Sequence, residues 1–132
     1  MSHTIVNPDG LHNPVPFGYS HTAAVPAGTD LVFISGQYGS DAEGSVVSTD
    51  FAKQVEQAFG NLGVALAAHG LDFSHVVQLR TYVVGLDFAK LGAIGGAVQG
   101  GGANPPTNTV IGVAGLAMPE ILFEVEAVAA RS

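Results

Sequence analysis

The chain has 132 residues, of which 47% are hydrophobic and only 11% charged, with a formal net charge of −7 and no cysteine. That length suits one compact domain (residues 1–132) with a genuine core. The composition excludes disulfides, thiol catalysis and thiolate metal sites, and it argues against nucleic-acid partners, which need clustered Lys and Arg to displace counterions, whereas Lys53, Arg80, Lys90 and Arg131 are scattered.

In chain order, the proline-bearing stretch up to Gly18 reads as loop apart from a short strand at Thr4-Ile5-Val6. Ser20 to Pro26 and Leu31 to Gly36 are apolar runs joined by Ala27-Gly28-Thr29-Asp30, which has turn chemistry and predicts a hairpin. Ser48, Thr49 and Asp50 offer oxygens to the unpaired amides of a helix start. Phe51, Val55, Phe59, Leu62 and Leu66 then recur at helical spacing, with Lys53, Gln54, Glu56 and Gln57 mostly on other faces, and Gly70 suits the residue after the helix. Gly60 and Gly63 inside this helix suggest close packing.

Val76 to Val84 reads as a valine-rich strand. Phe88 to Gln99 has Leu91, Ile94 and Val98 at helical spacing, but Gly92, Gly95 and Gly96 make it an intrinsically poor helix, ended by Gly100, Gly101 and Gly102. Asn108 to Val113 and Ile121 to Ala129 read as closing strands. On the last, Leu122, Glu124, Glu126 and Val128 share one face, while Phe123, Val125, Ala127 and Ala129 share the other. Two helices against one mixed sheet make an α+β layer architecture. So few charges on so apolar a chain also predict that some surface is buried by self-association.

Glu124 and Glu126, two apart on a partly apolar face, are candidates for proton exchange near neutral pH, or for structural acceptors at a subunit contact. Arg80 stands inside an apolar strand, on the face of Gln78 and Tyr82, and is expected to pair with Glu124 or Glu126, within the chain or across an interface. It is also a candidate to hold an anionic ligand. Ser35-Gly36 closes a strand, where Gly36 would let a ligand come close to the backbone. The five histidines, at 3, 12, 21, 69 and 75, lack helical metal-pair spacing, so no metal site is expected. Surface or capping roles suit His69 and His75 better than that of a lone base. No nucleophile elbow occurs, and the glycines from Gly92 to Gly102 match neither a P-loop nor a dinucleotide fingerprint. No apolar run reaches the roughly 20 residues that cross a bilayer. With no basic and apolar leader pattern, the expectation is a cytoplasmic protein without membrane partners.

Several segments together resemble the RidA (YjgF-like) family of reactive enamine/imine deaminases. They are Tyr19-Ser20, Phe33-Ile34-Ser35-Gly36-Gln37, Gln57 to Leu62, Gly70-Leu71, Val76 to Val83, Pro105 to Val110 and Glu124 to Ala127. The resemblance spans about Tyr19 to Ala129. It implies a chorismate-mutase-like α+β fold and a homotrimer with small-molecule clefts between subunits. Tyr19, Ser35, Gly36 and Glu124 match positions lining that cleft, with Glu124 as the catalytic candidate that positions water for attack on an imine. Neither metal nor organic cofactor is implied.

In the deaminating members the position of Thr107 is an arginine that grips the substrate carboxylate. Thr107 offers at most a neutral hydrogen bond, and Gly92 stands where an asparagine is frequent. These departures point away from ordinary 2-iminobutyrate deamination and towards a rebuilt pocket, with Tyr19, Ser35, Gly36, Arg80, Thr107 and Asn108 as the candidate ligand-binding set. The alternatives are a non-catalytic metabolite-binding trimer and an endoribonuclease, an activity attached to some relatives.

Overall fold

The computed structural model describes residues 3–99 and 104–131. Six strands run in chain order as β1 (Thr4–Val6), β2 (Thr22–Ala24), β3 (Asp30–Tyr38), β4 (Val76–Val84), β5 (Thr107–Val113) and β6 (Phe123–Arg131). The helices are α1 (Phe51–Ala67), between β3 and β4, and α2 (Phe88–Gln99), between β4 and β5. The main sheet has the order β3-β6-β4-β5, with β4 and β5 parallel and the other pairs antiparallel. This is the α+β architecture expected: a mixed sheet with two helices.

Both helices contribute to a core on one face of the sheet. Val55, Ala58, Leu62 and Leu66 of α1 and Ile94 and Val98 of α2 meet Leu79, Val83, Phe123, Val125 and Ala127. Alternation along β6 is clean, since Phe123, Val125 and Ala127 are buried while Glu124, Glu126 and Val128 stay partly exposed on the opposite face. Among the described residues no helix covers that second face, and Leu31, Phe33 and Ile111 remain exposed there, Phe33 at 75%.

Asp50 caps α1, its side chain accepting from the Lys53 amide at 3.1 Å. At the other end Gly70 takes a left-handed φ of 71°, and the Leu71 amide reaches back to the Leu66 carbonyl at 3.0 Å. These reversed bonds satisfy carbonyls the helix would leave open. For α2 the cap is Asp87, which accepts from the Lys90 amide at 2.9 Å. The helix therefore forms despite its glycines, supported by the burial of Ile94 and Val98. Gly100, Gly101 and Gly102 lie outside the described residues.

Two expectations are corrected. Ser20 to Pro26 does not form a hairpin with the following strand. β2 pairs with β1 in a separate two-stranded sheet, and β3 pairs with β6, from Asp30 opposite Arg131 onwards. The cause is upstream. The Ser20 amide donates to the Pro106 carbonyl at 3.0 Å, anchoring this segment at the β5 end of the sheet, away from β3. Gln54, expected on a polar face of α1, is completely buried, because it bridges backbone groups of two loops.

Candidate functional site

β3 contains a bulge, with one extra residue between Ile34 and Gln37 relative to the Ala127–Val125 stretch of β6. Ser35 and Gly36 occupy it. Bulges break the regular ladder and redirect side chains, and here the effect concerns Glu124. A Cβ at Gly36 would lie 2.0 Å from Glu124 Oε2 and 2.7 Å from Cδ. The Glu124 carboxylate therefore occupies space that only glycine leaves open, beside the Ser35-Gly36 backbone.

Glu124 stands opposite both Tyr38 and Tyr82, and Glu126 stands opposite Arg80. Partial burial pushes the Glu124 carboxyl above its ordinary range, and the negative charge of Glu126 adds to the shift. Desolvation and a like charge both disfavour ionisation. Glu126 is engaged differently, accepting a short hydrogen bond from the Tyr82 hydroxyl. That bond is the main reason the Tyr82 phenol is harder to ionise than usual. The two glutamates thus have separate roles: Glu126 is fixed by tyrosine, and Glu124 retains its proton more readily.

Within the single chain Arg80 does not form the ion pair expected with Glu124 or Glu126. Among the described residues no salt bridge joins it to Glu124 or Glu126. It is exposed, where an ion pair would gain little, and Glu126 already holds the Tyr82 hydroxyl.

Tyr19, Thr107 and Asn108 gather elsewhere. With Gln78, Phe33 and Val128 they help line a groove of about 730 Å³ on the uncovered face, beneath the segment from Tyr19 to Ala23. The Thr107 hydroxyl donates to the Val77 carbonyl at 3.0 Å. Its only proton is committed to the backbone, so Thr107 can offer a ligand lone pairs but no donor. Asn108 Oδ1 accepts from the buried Thr81 hydroxyl at 3.0 Å.

The candidates therefore fall into two groups on one sheet. Ser35, Gly36 and Glu124 form one group, and Tyr19 and Thr107 form the other, while the Asn108 side chain turns to the helix side with Leu79 and Thr81. Gln78, paired with Thr107, and Tyr82, paired with Glu124, lie four residues apart on β4, about 13 Å at strand spacing. Arg80 lies between them.

Sequence reasoning missed a cluster around Tyr19. Its hydroxyl lies 2.6 Å from His12 Nε2, and His21 Nε2 donates to the His12 carbonyl at 2.8 Å. The two imidazoles sit edge to face at 4.8 Å between ring centres, and Tyr19 lies 5.6 Å from His21. Metal-ligand spacing could not find this group, because the loop brings the rings together in space. No cluster of three His, Cys, Asp or Glu side chains suited to a metal occurs among the described residues.

Residues 12–131 match the family model described as Endoribonuclease L-PSP. The Rid-family protein YyfB of Yersinia pestis is 38% identical, and the alignment covers 99% of this chain and all of that one with a TM-score of 0.94. Protein DfrA of Myxococcus xanthus is 38% identical over 100 residues, 74% of each chain. Human 2-iminobutanoate/2-iminopropanoate deaminase is 44% identical over 48 residues, 36% of this chain and 35% of the human one.

Proposed function

Because the chain belongs to the Endoribonuclease L-PSP, or Rid, family, we propose that it is a homotrimer that takes a small molecule into clefts between subunits and hydrolyses a C=N bond there. The observation carrying this reading is the separation of the candidate residues. Ser35, Gly36 and Glu124 lie about 13 Å along the strands from Tyr19 and Thr107, on a sheet face that exposes Leu31, Phe33 and Ile111. A neighbouring chain laid on that face would bury the apolar residues and could set its Glu124 group opposite the Tyr19 group.

The chemistry follows from Glu124. Its raised pKa suits a group that both accepts and returns a proton. Water, held by the carboxylate, adds its oxygen to the imine carbon while a proton passes to Glu124. Glu124 returns that proton to nitrogen, giving a carbinolamine. It then takes the adduct's hydroxyl proton and passes it to nitrogen as the C–N bond breaks, and the products are a carbonyl compound and ammonia. An imine carbon is electrophilic enough that no step requires a metal or organic cofactor.

The substrate differs from the 2-imino acids of the deaminating relatives. Thr107 takes the place of their arginine, and its proton is already donated to Val77. A neutral contact there replaces a charge-assisted pair, which costs carboxylate affinity about tenfold or more. Arg80 is the cation closest in register to both groups and is the candidate substitute.

The test is keto-acid release from freshly generated 2-iminobutyrate, beside imines lacking a carboxylate. Faster turnover of the uncharged imines, lost in Glu124→Ala, is expected. Rapid 2-iminobutyrate turnover that survives Arg80→Ala would refute the assignment of substrate class, and activity indifferent to Glu124→Ala would refute the mechanism. The committed Thr107 hydroxyl also favours a second reading, a metabolite-binding trimer without turnover. A ligand that raises Tm without product would identify it. Endoribonuclease action fits poorly with a net charge of −7, and absence of RNA binding even at low salt is expected.

A further inference from the structure

A second cleft, of about 870 Å³, lies between the segment from His12 to Tyr19, α2 and β5. Its volume is in the range of small-molecule sites. Phe17, Phe88, Leu91 and Val110 give it apolar walls, and its lining includes no Asp, Glu, Lys or Arg. Its lining also includes Tyr19, His12, Asn108 and Thr109.

Three glycines of α2 line this cleft, and they are not equivalent. Gly95 is closely packed, since a Cβ there would sit 3.2 Å from the Phe17 carbonyl oxygen. Gly18, with a left-handed φ of 88°, presses on Gly95 from the other side, its own Cβ position 3.0 Å from the Gly95 oxygen. Gly92 and Gly96 face open space, with nothing within 4 Å of a Cβ. Backbone contact therefore does not explain them, and helix stability opposes them. Both are among the residues lining the cleft, so a side chain added at either would start from its wall.

The Tyr19–His12 pair completes the site. When the Tyr19 hydroxyl donates to His12 Nε2, its oxygen lone pairs can accept from a ligand. When His12 Nε2–H donates to the tyrosine oxygen, the phenolic proton is free for a ligand acceptor. The bond from His21 Nε2 to the His12 carbonyl steadies the main chain that carries the pair. Asn108 adds its Nδ2 amide, which no hydrogen bond to another described residue engages.

We propose that this cleft binds an uncharged small molecule, its apolar body against Gly92 and Gly96 of α2 and one hydrogen-bonding end at the Tyr19–His12 pair. The absence of a charged wall selects against carboxylates, because a buried ion without a partner is strongly penalised. The inference rests on the proposed function in part, since Tyr19 and Asn108 also belong to the candidate ligand-binding set. It uses no residue of the Glu124 group, and its readout is binding rather than turnover, so the two can fail independently.

The test uses benzamide, benzoate and toluene as probes on the intact protein, followed by ligand-observed NMR and by the amide shifts of Tyr19, Gly92 and Gly96. Saturable benzamide binding in the millimolar range is expected, with benzoate and toluene each weaker by about tenfold or more. Tyr19→Phe and His12→Asn should weaken benzamide and leave toluene unchanged. Gly92→Leu should abolish binding of both benzamide and toluene while raising Tm, and Gly96→Ala, a gentler change, should weaken both. The proposal is overturned if benzamide does not saturate, if benzoate binds as well, or if folded Gly92→Leu and Gly96→Ala bind as the wild type does.

Discussion

Gln54 offers a quantitative test of how the site is supported. Its side chain is wholly buried and makes three hydrogen bonds. Nε2 donates to the Ser48 carbonyl at 2.8 Å and to the Glu120 carbonyl at 3.0 Å, and Oε1 accepts from the Leu122 amide at 2.9 Å. One residue of α1 thus ties the turn before the helix to the segment that leads into β6, two residues ahead of Glu124. Gln54→Leu keeps much of the volume and removes all three bonds. The stranded Leu122 amide should cost about 1–3 kcal/mol, and each carbonyl about 0.5–1.5 kcal/mol. The Glu120 carbonyl can turn to water, since that residue is exposed, and leucine adds apolar burial, so we expect a net loss of about 2–4 kcal/mol. Urea unfolding at fixed protein concentration measures it. With a slope of about 2 kcal/mol per molar, the midpoint should fall by about 1–2 M. A loss below about 0.5 kcal/mol would refute the reasoning, because it would mean that water replaces a buried amide at little cost.

Three further outcomes follow from the same structure. Gly36→Ala places a methyl group 2.0 Å from Glu124 Oε2, so the carboxylate must move by more than an ångström. Carboxyl-carbon NMR should show a changed Glu124 titration, and Glu124-dependent turnover should fall by about 10²-fold; an unaltered titration curve would contradict the geometry. The raised Glu124 pKa means that the folded state binds this proton more tightly than the unfolded chain does, so its stabilising contribution is full below the ordinary value of 4.5 and is lost as pH rises through the raised one. Glu124→Gln should therefore raise Tm at neutral pH and leave it nearly unchanged below pH 4.5, and the opposite pattern would count against burial as the cause. Gly18→Ala meets both a left-handed backbone and the Gly95 carbonyl at 3.0 Å. It should cost more than the roughly 1–2 kcal/mol of the backbone strain alone, and an unchanged thermal transition would show that the short turn Val15–Phe17 and α2 separate freely.

What the sequence disclosed depended on the range of the interactions. α1 was legible because Phe51, Val55, Leu62 and Leu66 repeat at helical spacing and Asp50 is a local cap. The alternation from Phe123 to Ala129 likewise revealed which way Glu124 points. Gln54 was misjudged because a polar side chain on a helix reads as exposed unless its backbone partners, 66 and 68 residues away at Glu120 and Leu122, are known. The hairpin expectation failed for a related reason: adjacency favours pairing neighbours, but the ladder of β3 is completed by β6 at the far end of the chain. The resemblance offered the Glu124 and Tyr19 groups as candidates but could not reveal that the Thr107 proton is already used. The His12–Tyr19–His21 cluster was hidden because nothing in a loop sequence dictates which rings will meet.

The distance between the Glu124 and Tyr19 groups has a genetic consequence. A site assembled from two chains can be restored by mixing two defective ones. Glu124→Ala chains still carry the Tyr19 group, and Tyr19→Phe chains still carry the Glu124 group. If the proposed trimer forms, co-refolding the two in equal amounts should give about one interface in four that combines the two intact groups. Two inactive alleles in one cell should then complement each other, whereas a site contained in one chain would leave the mixture as inactive as its parts.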